Sequence, residues 1–442
     1  MRISVIGAGY LGLVTSVSLA QIGHNVVGLE PDRDRAEQLK NGLLPLYEPG
    51  LKGLMKTNMN EERLSFTHDR TQALNDTDVI YIAVETPLLS NGRVDLTAVE
   101  QASIDIATTI SQPVIVVIKS TVPLGTLTNI EKLMKKHTKI PFQMVINPDF
   151  SRQGNAVHDT FYGDRIVLGA VNDQAANVVE EINIPFQIPI FKTDISSAEI
   201  IKYASNAFLA TKISFINDIA RLCENAGANI DDVAFAIGLD DRIGRKFLGA
   251  GLGYGASFFP HEVAGIEQAA ENVDYRSSLL ESVLRVNNNQ HSVFMKKAKE
   301  VMDGEFLGKK VALLGLSRKP KTDDVRGAIS IRIANYLLDL GANVTAFDPK
   351  AIPNAMKVLP EEIEFASTIE EALIDADVAF IMTDWDQFKD LPLSKYEELM
   401  NRARIIDGRN CYPLDYVRNY KIEYHSFGRP PVWIEEESEL KQ

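Results

Sequence analysis

Cysteine is scarce in this sequence, and it lacks long hydrophobic runs and signal-like segments. The 442 residues include two cysteines, Cys223 and Cys411, which are too few for a disulfide framework. Every hydrophobic run meets a charged residue or a glycine before it reaches the roughly 20 apolar residues that span a bilayer. The chain passes from Met1 directly into a strand-like pattern, without the charged and apolar regions of a signal peptide. We therefore expect a reduced, cytoplasmic protein that is not inserted in a membrane.

Positively charged residues are also fewer than negatively charged ones. Lysine and arginine number 46 against 60 aspartates and glutamates, which gives a formal net charge of -14. This balance argues against nucleic acids and anionic membranes as partners, although it leaves room for a local basic pocket that binds a phosphate. The length exceeds what a single core accommodates and predicts two or three domains.

Two parts of the chain alternate strand-like and helix-like patterns. Helix-length segments separate the strand-like runs, which favours parallel sheets covered on both faces. The predicted strands lie at residues 2–6, 25–29, 79–84, 113–119 and 142–146, and then at 310–316, 343–347, 377–382 and 404–407.

A long helical pattern lies between these two parts. It covers residues 197–226, and mostly helical segments continue to residue 302, interrupted by a glycine-rich loop at 249–255. The predicted fold class is α/β, with two Rossmann-like doubly wound domains joined by a long central helix and an α-rich middle domain. The predicted domain boundaries are 1–195, 196–303 and 304–442.

The glycine-rich stretch GAGYLG follows the first predicted strand and opens a helix. Gly7 permits the tight turn, Gly9 lets backbone amides approach a pyrophosphate, and Gly12 allows the helix to pack on the strand. Glu30 ends the second strand, where a carboxylate binds a ribose 2'-hydroxyl and repels a 2'-phosphate. This context predicts NAD binding and disfavours the alternative of a glycine turn without a ligand.

Tyr10, Leu11 and Arg35 join these residues as candidate contacts to the cofactor. Arg33 and Arg35 lie close to Glu30 in the sequence, and an arginine near that carboxylate can accommodate the 2'-phosphate of NADP. NAD is therefore the preferred cofactor and NADP the alternative. No metal site is predicted.

Dispersed motifs over nearly the whole chain resemble the UDP-glucose/GDP-mannose dehydrogenase family. Beyond the first glycine loop they are YEPGL at 47–51, KSTVP at 119–123, KYASNAF at 202–208, GLD and RIG within 238–244, GLS, KP and TDDVR within 315–326, and DGRN at 407–410. The resemblance implies NAD-dependent oxidation of carbon 6 of a UDP-hexose, UDP-glucose towards UDP-glucuronate. It also implies that the first predicted domain binds NAD, that the middle one carries a dimerisation helix and the catalytic loop, and that the last binds UDP.

In that family the sugar alcohol is oxidised twice by two NAD molecules, through a thiohemiacetal and a thioester on a cysteine. Lys202 and Asn206 match the residues that stabilise the developing oxyanion, and one helical turn places both on the same face of the long helix. A solvated surface lysine is the alternative interpretation of Lys202. Thr121 and Thr86 match positions that line the cofactor and the catalytic water.

Further positions are carried over from the same resemblance. Gln153 and His261 are assigned to the cofactor. Arg326 is expected to reach the substrate site of a neighbouring subunit, which implies at least a homodimer with the long helix as its interface. For Lys319 an ordinary loop lysine is the alternative. The expected substrate-binding residues are Asp149, Arg152, Lys202, Asn206, Phe247, Gly251, Gly255, Lys319 and Arg326.

The expected catalytic residues are Lys202, Asn206, Glu262, Thr121, Asp149 and the residue at the nucleophile position, Phe258. Some of these residues differ from the family pattern. Phe258 stands where the family has its nucleophilic cysteine, and a phenyl ring cannot form a covalent adduct. Glu262 replaces an aspartate and retains a carboxylate for general-base catalysis. Two family glutamates appear as Asp149 and Gln153, and the loss of the second carboxylate fits the loss of the thioester that it would help to hydrolyse.

Three functions follow from this combination. The first is a UDP-sugar 6-dehydrogenase that performs hydride transfer and either stops at the aldehyde or oxidises its hydrate slowly. The second is a non-catalytic paralogue that binds nucleotide sugars and assembles with an active dehydrogenase. The third is a dehydrogenase of another nucleotide sugar, such as a UDP-N-acetylhexosamine or GDP-mannose. Ser257, Cys223 and Cys411 are not expected to replace the missing thiol, and both cysteines are expected to be structural.

Overall fold

The computed structural model describes residues 1–89, 91–255, 275 and 277–434. This part of the chain forms two compact units. The first comprises Met1–Asn206 with Tyr275, and the second runs from Ala207 to residue 255 and from Ser277 to residue 434. Each unit is built around one sheet of largely parallel strands with an apolar core on either side.

The sheet of the first unit contains eight strands. Their bounds are β1 (Arg2–Ile6), β2 (Asn25–Leu29), β3 (Leu64–Thr67), β4 (Val79–Ile82), β5 (Val114–Ile118), β6 (Phe142–Ile146), β7 (Ile166–Ala170) and β8 (Ile190–Thr193). The spatial order is β3-β2-β1-β4-β5-β6-β7-β8, and all neighbours are parallel except β6 and β7. The first six strands therefore have the 3-2-1-4-5-6 order of dinucleotide-binding folds.

Side chains of the first sheet alternate between its two cores. Val79 and Tyr81 of β4 pack into one core, whereas Ile80 and Ile82 pack into the other. Because both faces are buried, the central strands are continuous apolar runs rather than alternating ones.

Helices connect these strands. Their bounds are α1 (Tyr10–Gln21), α2 (Arg33–Lys40), α3 (Leu51–Asn60), α4 (Arg70–Leu74), α5 (Thr97–Thr109), α6 (Thr126–His137), α7 (Ala156–Phe161), α8 (Asp173–Asn183) and the 32-residue α9 (Ile195–Ala226). The boundary between the units lies within α9, after Asn206.

The second unit contains a six-stranded sheet. Its strands are β9 (Lys310–Leu314), β10 (Asn343–Phe347), β11 (Glu364–Phe365), β12 (Val378–Ile381), β13 (Arg404–Asp407) and β14 (Glu423–His425). Their order is β11-β10-β9-β12-β13-β14, and all neighbours are parallel. The 3-2-1-4-5-6 order of the first unit is thus repeated.

The helices of the second unit begin with α10 (Ile230–Ile237) and the long α11 (Ser278–Val301). Those that follow are α12 (Ile329–Asp339), α13 (Ile352–Ala355), α14 (Ile369–Leu373), α15 (Asp386–Lys389), α16 (Ser394–Leu399) and α17 (Leu414–Val417). Within the described ranges, no helix has the length and apolar character needed to cross a membrane.

The predicted fold class is confirmed, since one doubly wound sheet precedes the long α9 in the sequence and a second follows the helical segments after it. The sequence prediction omitted five strands, β3, β7, β8, β11 and β14, of two to five residues each.

Candidate active site

The glycine turn after β1 has the shape of a phosphate-binding loop. Gly7 has a φ of +96°, and a Cβ atom there would lie 2.9 Å from the Ala83 carbonyl oxygen. A Cβ at Gly12 would lie 1.8 Å from the Gly7 carbonyl oxygen, whereas at Gly9 it would meet only the Glu85 side chain, at 3.4 Å. Gly7 and Gly12 are therefore required by the fold, while Gly9 leaves the start of α1 open to a ligand.

Glu30 and Arg35 lie beside this turn. Glu30 directly follows β2 and is buried, and one carboxylate oxygen accepts a hydrogen bond from the Asp32 amide at 3.1 Å. Nε of Arg35 lies 3.7 Å from the other oxygen, and Nη2 donates to the Ala8 carbonyl at 2.9 Å. Arg35 thus connects Glu30 to the glycine turn, and its charge is balanced within the fold. This arrangement favours a ribose hydroxyl over a phosphate at Glu30.

Thr86 and Thr121 follow β4 and β5, which are parallel neighbours. Their carboxyl ends lie at the same edge of the sheet, and the Thr86 hydroxyl donates to the Thr121 carbonyl at 2.9 Å. The structure therefore brings together two residues that are 35 positions apart in the sequence. Leu11 lies in the first turn of α1, next to the glycine turn.

Asp149 lies at the same edge, just beyond β6. Its Oδ2 accepts a hydrogen bond from the Ser151 hydroxyl at 2.6 Å, and its Oδ1 is 3.8 Å from Nζ of Lys119. Nζ of Lys119 also donates to Oδ1 of Asn147 at 3.3 Å. Burial lowers the pKa of Lys119, Asp149 opposes this shift, and the positive charge of Lys202 reinforces it. Lys119 was not among the predicted site residues, although it begins the KSTVP motif at the end of a predicted strand.

Lys202 and Asn206 lie one turn apart in α9 and are 3% and 6% exposed. The interpretation of Lys202 as a solvated surface lysine is therefore wrong. Its Nζ lies 5.5 Å from the centre of the Phe150 ring, and the Arg165 guanidinium lies 4.2 Å from the same centre. Lys119 lies beside Asp149, and Lys202 and Arg165 both lie over the ring of Phe150, the next residue. Positive charge is therefore concentrated at this loop, which suits the stabilisation of an oxyanion.

Arg152 and Gln153 belong to the loop that precedes α7. The Arg152 backbone amide, Nε and Nη2 all donate to the Asp159 carboxylate at 2.7 to 2.9 Å. Burial would raise the pKa of Asp159, but the bonds and charge of Arg152 lower it below its ordinary value. Arg152 is thus bound to α7, and Gln153 follows it directly.

In the second unit the glycine-rich loop is bound tightly to its surroundings. The Gly251 amide donates to the side-chain oxygen of Asn217 at 2.8 Å, and a Cβ at Gly251 would lie 2.5 Å from the Gly408 carbonyl oxygen. Nη1 of Arg409 donates to the Gly253 carbonyl at 3.0 Å. Phe247, at the start of the loop, has a φ of +65°. Asn217 and Arg409, which hold this loop, were not among the predicted site residues.

Gly255 ends the described part of this loop and approaches an arginine pair. A Cβ at Gly255 would lie 3.0 Å from the Gly327 carbonyl oxygen and 3.3 Å from the Arg318 Cβ. The Asp324 carboxylate accepts two hydrogen bonds from the Arg326 guanidinium, both at 2.9 Å, one from the Arg326 backbone amide at 3.0 Å, and one from the Arg318 side chain at 3.4 Å. The Arg326 side chain is largely exposed. Gly255 and Arg326 therefore lie near each other, and the neighbouring Lys319 is partly buried.

The second sheet does not repeat the open glycine turn of the first. Asp348 follows β10, the position that Glu30 has after β2. Its Oδ2 accepts hydrogen bonds from the backbone amides of Leu316 at 2.8 Å and Ser317 at 2.9 Å. The amides that follow β9 are therefore already bound to a carboxylate of the same unit.

Three candidate residues, Phe258, His261 and Glu262, lie outside the described residues. The two cysteines are unpaired. Cys223 belongs to the core of the second unit, and burial followed by the charge of Asp407 raises the pKa of the Cys411 thiol. A thiol held protonated is a poor nucleophile, which agrees with a structural role for Cys411. Among the described residues, no group of three or more histidines, cysteines and acidic residues has the arrangement of a metal site.

An open dinucleotide turn, together with a buried lysine and asparagine one turn apart in α9, is the combination expected of an NAD-dependent dehydrogenase. Three family models match the chain in order. They are the NAD binding domain of the UDP-glucose/GDP-mannose dehydrogenase family over residues 1–187, its central domain over 196–289, and its UDP binding domain over 312–414. The chain belongs to this family. NAD is its cofactor, and the prediction made from the glycine turn and Glu30 is confirmed.

Individual relatives agree with this assignment over the full length. The chain is 48% identical to the UDP-glucose 6-dehydrogenase YwqF of Bacillus subtilis, and the match covers 98% of both sequences. It is 40% identical to a UDP-glucose 6-dehydrogenase of Rhizobium meliloti, over 97% of this chain and 100% of that one. The solved structure of a UDP-glucose dehydrogenase from Pyrobaculum islandicum superposes with a TM-score of 0.90 at 34% identity, covering 97% of this chain and 98% of that one.

Proposed function

We propose that this protein uses NAD to oxidise carbon 6 of UDP-glucose towards UDP-glucuronate. The observation that carries the proposal is the buried Lys202 and Asn206 pair, which lies in a chain with matches to both an NAD binding and a UDP binding domain. Relatives at 48% and 40% identity are UDP-glucose 6-dehydrogenases, which supports this sugar as the substrate.

In the proposed first step the carbon 6 alcohol loses a hydride and a proton and becomes an aldehyde. NAD accepts the hydride when bound. The ammonium of Lys202 and the amide of Asn206 stabilise negative charge on the sugar oxygen as the hydroxyl proton leaves. Asp149 and Glu262 are the proposed bases for that proton.

The second oxidation is where this chain differs from the family scheme. Phe258 cannot bind the aldehyde covalently, and Gln153 has no carboxylate to activate a water molecule. We propose that the aldehyde leaves as the first product, or that its hydrate loses a second hydride slowly. The first oxidation releases one NADH and one proton. The second uses the water that hydrates the aldehyde and releases one NADH and one proton, and a further proton leaves as the carboxylic acid ionises.

The stoichiometry of NADH tests this function. Purified protein is incubated with NAD and UDP-glucose, NADH is followed by its absorbance, and the sugar product is identified by mass spectrometry. One rapid equivalent of NADH with an aldehyde product supports the proposal, and a Phe258→Cys variant is expected to speed the second equivalent. The absence of both NADH and sugar oxidation would reject it.

Two variants connect the activity to the proposed site. Lys202→Met should lower kcat by about a hundredfold or more because it removes charge stabilisation at the reacting oxygen. Lys135→Met is the matched control, since Lys135 is an exposed lysine in α6 whose partner is Glu131. The control should retain the activity of the wild type.

A second candidate function is nucleotide-sugar binding without catalysis, which the substitutions at Phe258 and Gln153 favour. Calorimetry that detects UDP-glucose binding in a protein without turnover would support this alternative. Turnover with GDP-mannose or a UDP-N-acetylhexosamine, but not with UDP-glucose, would instead identify another substrate.

The protein is also proposed to form a homodimer through α9. Phe208, Phe215 and Leu222 recur every seven residues along this helix and are 65%, 52% and 61% exposed. A helical stripe of large apolar side chains is a favourable surface for a second copy of the same helix. Sedimentation should give a dimer for the wild type and a monomer for Phe208→Glu/Phe215→Glu, whereas Lys135→Met should remain dimeric.

The proposed compartment is the cytoplasm. Two unpaired cysteines support a reducing environment, where disulfides are rare. Fractionation of cells that produce the tagged protein would test this, and recovery from an extracellular fraction would contradict it.

A further inference from the structure

Glu48 is a buried carboxylate whose two oxygens both accept hydrogen bonds, and it is not one of the residues proposed to contact cofactor or substrate. It is 4% exposed and belongs to the segment between α2 and α3. Its Oε2 accepts hydrogen bonds from the Gly154 amide, at 2.6 Å, and from the Tyr10 hydroxyl. Its Oε1 accepts from the Ala156 amide at 2.7 Å. Hydrogen bonds to an ionised carboxylate are stronger than those between neutral groups.

These contacts join two segments that are distant in the sequence. Tyr10 is the first residue of α1, directly after Gly9 in the cofactor turn. Gly154 directly follows Gln153, and Ala156 begins α7. Glu48 therefore links the turn that receives the cofactor to the loop that follows β6.

The hydroxyl of Tyr10 acts both as a donor and as an acceptor in these contacts. It donates to Glu48 and accepts a hydrogen bond from the Gly154 amide at 3.1 Å. Burial, followed by the hydrogen bond to Glu48, raises the pKa of Tyr10 far above its ordinary value. The phenol thus remains a donor over the whole working range of pH.

The loop has a second attachment that does not reach the cofactor turn. Arg152 binds Asp159 of α7 through its backbone and side chain. This ion pair fixes the loop against its own following helix. Glu48 adds the attachment to Tyr10 of α1, directly after the glycine turn.

We propose that Glu48 is a positioning residue for hydride transfer, which acts through Tyr10 and Gly154 to hold the loop containing Asp149 and Gln153 in register with the cofactor turn. The role rests on the proposed function, because it concerns the geometry of that reaction. Hydride transfer is sensitive to such register, since a misplacement of about 1 Å lowers a rate by roughly a hundredfold.

Isotope-sensitive kinetics test the role. In Glu48→Gln and Tyr10→Phe, kcat for NADH formation should fall by about tenfold or more, while the KM for UDP-glucose changes less than about twofold. The deuterium isotope effect with UDP-glucose labelled at carbon 6 should increase, because hydride transfer becomes rate-limiting. Glu37→Gln, an exposed carboxylate in α2, is the control and should match the wild type. An unchanged isotope effect in both variants would overturn the role.

A binding experiment tests the positioning role of Glu48 even if the wild type forms no NADH. Hydrogen exchange of a peptide covering residues 150–160 is measured with and without NAD. Bound NAD should slow exchange there in the wild type and in Glu37→Gln, but much less in Tyr10→Phe, which keeps the two backbone bonds of Glu48. Equal slowing in Tyr10→Phe and the wild type would show that the link does not transmit cofactor binding. Thermal unfolding of each variant identifies any that fail to fold.

Discussion

Ser317 donates its backbone amide hydrogen to Oδ2 of Asp348 at 2.9 Å. Asp348 has the position after the second strand of its sheet that Glu30 has in the first sheet, but the two carboxylates are used differently. Asp348 binds the amides after the first strand, whereas Glu30 binds the Asp32 amide and lies beside Arg35, so Glu30 does not occupy the amides after β1 in the same way. Two sheets of the same strand order thus differ in whether their first turn can receive a dinucleotide.

Asp348→Ala should destabilise the second unit without changing NAD affinity. The substitution leaves the buried amides of Leu316 and Ser317 without an acceptor, at about 1 to 3 kcal/mol for each group. Urea unfolding measures the loss, and NAD titration measures the affinity. A weakened NAD affinity in a folded Asp348→Ala variant would contradict this assignment.

Glu30→Ala is the complementary change and should weaken NAD binding with little loss of fold. A hydrogen bond from a ribose hydroxyl to a charged group contributes about 1.5 to 3 kcal/mol, which corresponds to roughly tenfold to a hundredfold in Kd. Titration with NAD and with NADP compares the variant with Glu37→Ala, an exposed glutamate of α2. If Glu30→Ala bound NAD as tightly as this control, Glu30 would not be a ribose ligand.

Gly9→Ala and Gly12→Ala should fail in different ways. A methyl group at Gly12 overlaps the Gly7 carbonyl oxygen at 1.8 Å, so this variant should lose stability and cofactor binding together. A methyl group at Gly9 meets only the end of the Glu85 side chain, so this variant should fold but bind NAD at least about tenfold more weakly, because it blocks the pyrophosphate. Thermal unfolding and NAD titration separate the two results. Equal loss of stability in both variants would contradict the distinction.

His291→Gln should flatten the dependence of stability on pH in mildly acidic solution. Burial, followed by the charge of Arg332, lowers the pKa of His291 below its ordinary value of 6.5, and its Nδ1 lies 3.3 Å from the Arg332 guanidinium. The unfolded chain therefore binds more protons than the folded one as pH falls below 6.5, and stability falls with it. Unfolding free energies at about pH 8 and about pH 5 should differ less in the variant than in the wild type. His68→Gln changes an exposed histidine and is the control, so its stability should depend on pH as that of the wild type does. If the stability of His291→Gln depended on pH as strongly as that of the control, His291 would not be the group responsible.

The parts of the site that could be predicted from sequence are those encoded by local spacing. Gly7, Gly9 and Gly12 lie in one turn, and Lys202 and Asn206 lie one turn apart in one helix, so their neighbours in the sequence are also their neighbours in space. The long helix and the central strands of both sheets were predicted for the same reason, since a fully buried strand is a continuous apolar run.

Residues whose partners are distant could not be assigned in this way. Glu48 binds Gly154 across 106 positions, and Asp348 binds Ser317 across 31. Strands such as β3, with the sequence LSFT, are too short to show a hydrophobic period of their own and form only because a neighbouring strand is in place. Lys119 belongs to a recognisable motif, but its partner Asp149 is distant in the sequence and lies beside it only because β5 and β6 are neighbours in the sheet.

The single open dinucleotide turn among the described residues has a kinetic consequence for the proposed reaction. Two oxidations at one cofactor site are successive, so the spent nucleotide must leave and a fresh one must enter while the aldehyde stays in place. An enzyme with a thiol tethers the aldehyde through this exchange, whereas Phe258 offers no bond to hold it. The product then depends on whether the free aldehyde dissociates before NADH is exchanged for NAD at the glycine turn. Raising the NAD concentration should therefore shift the product from aldehyde towards acid.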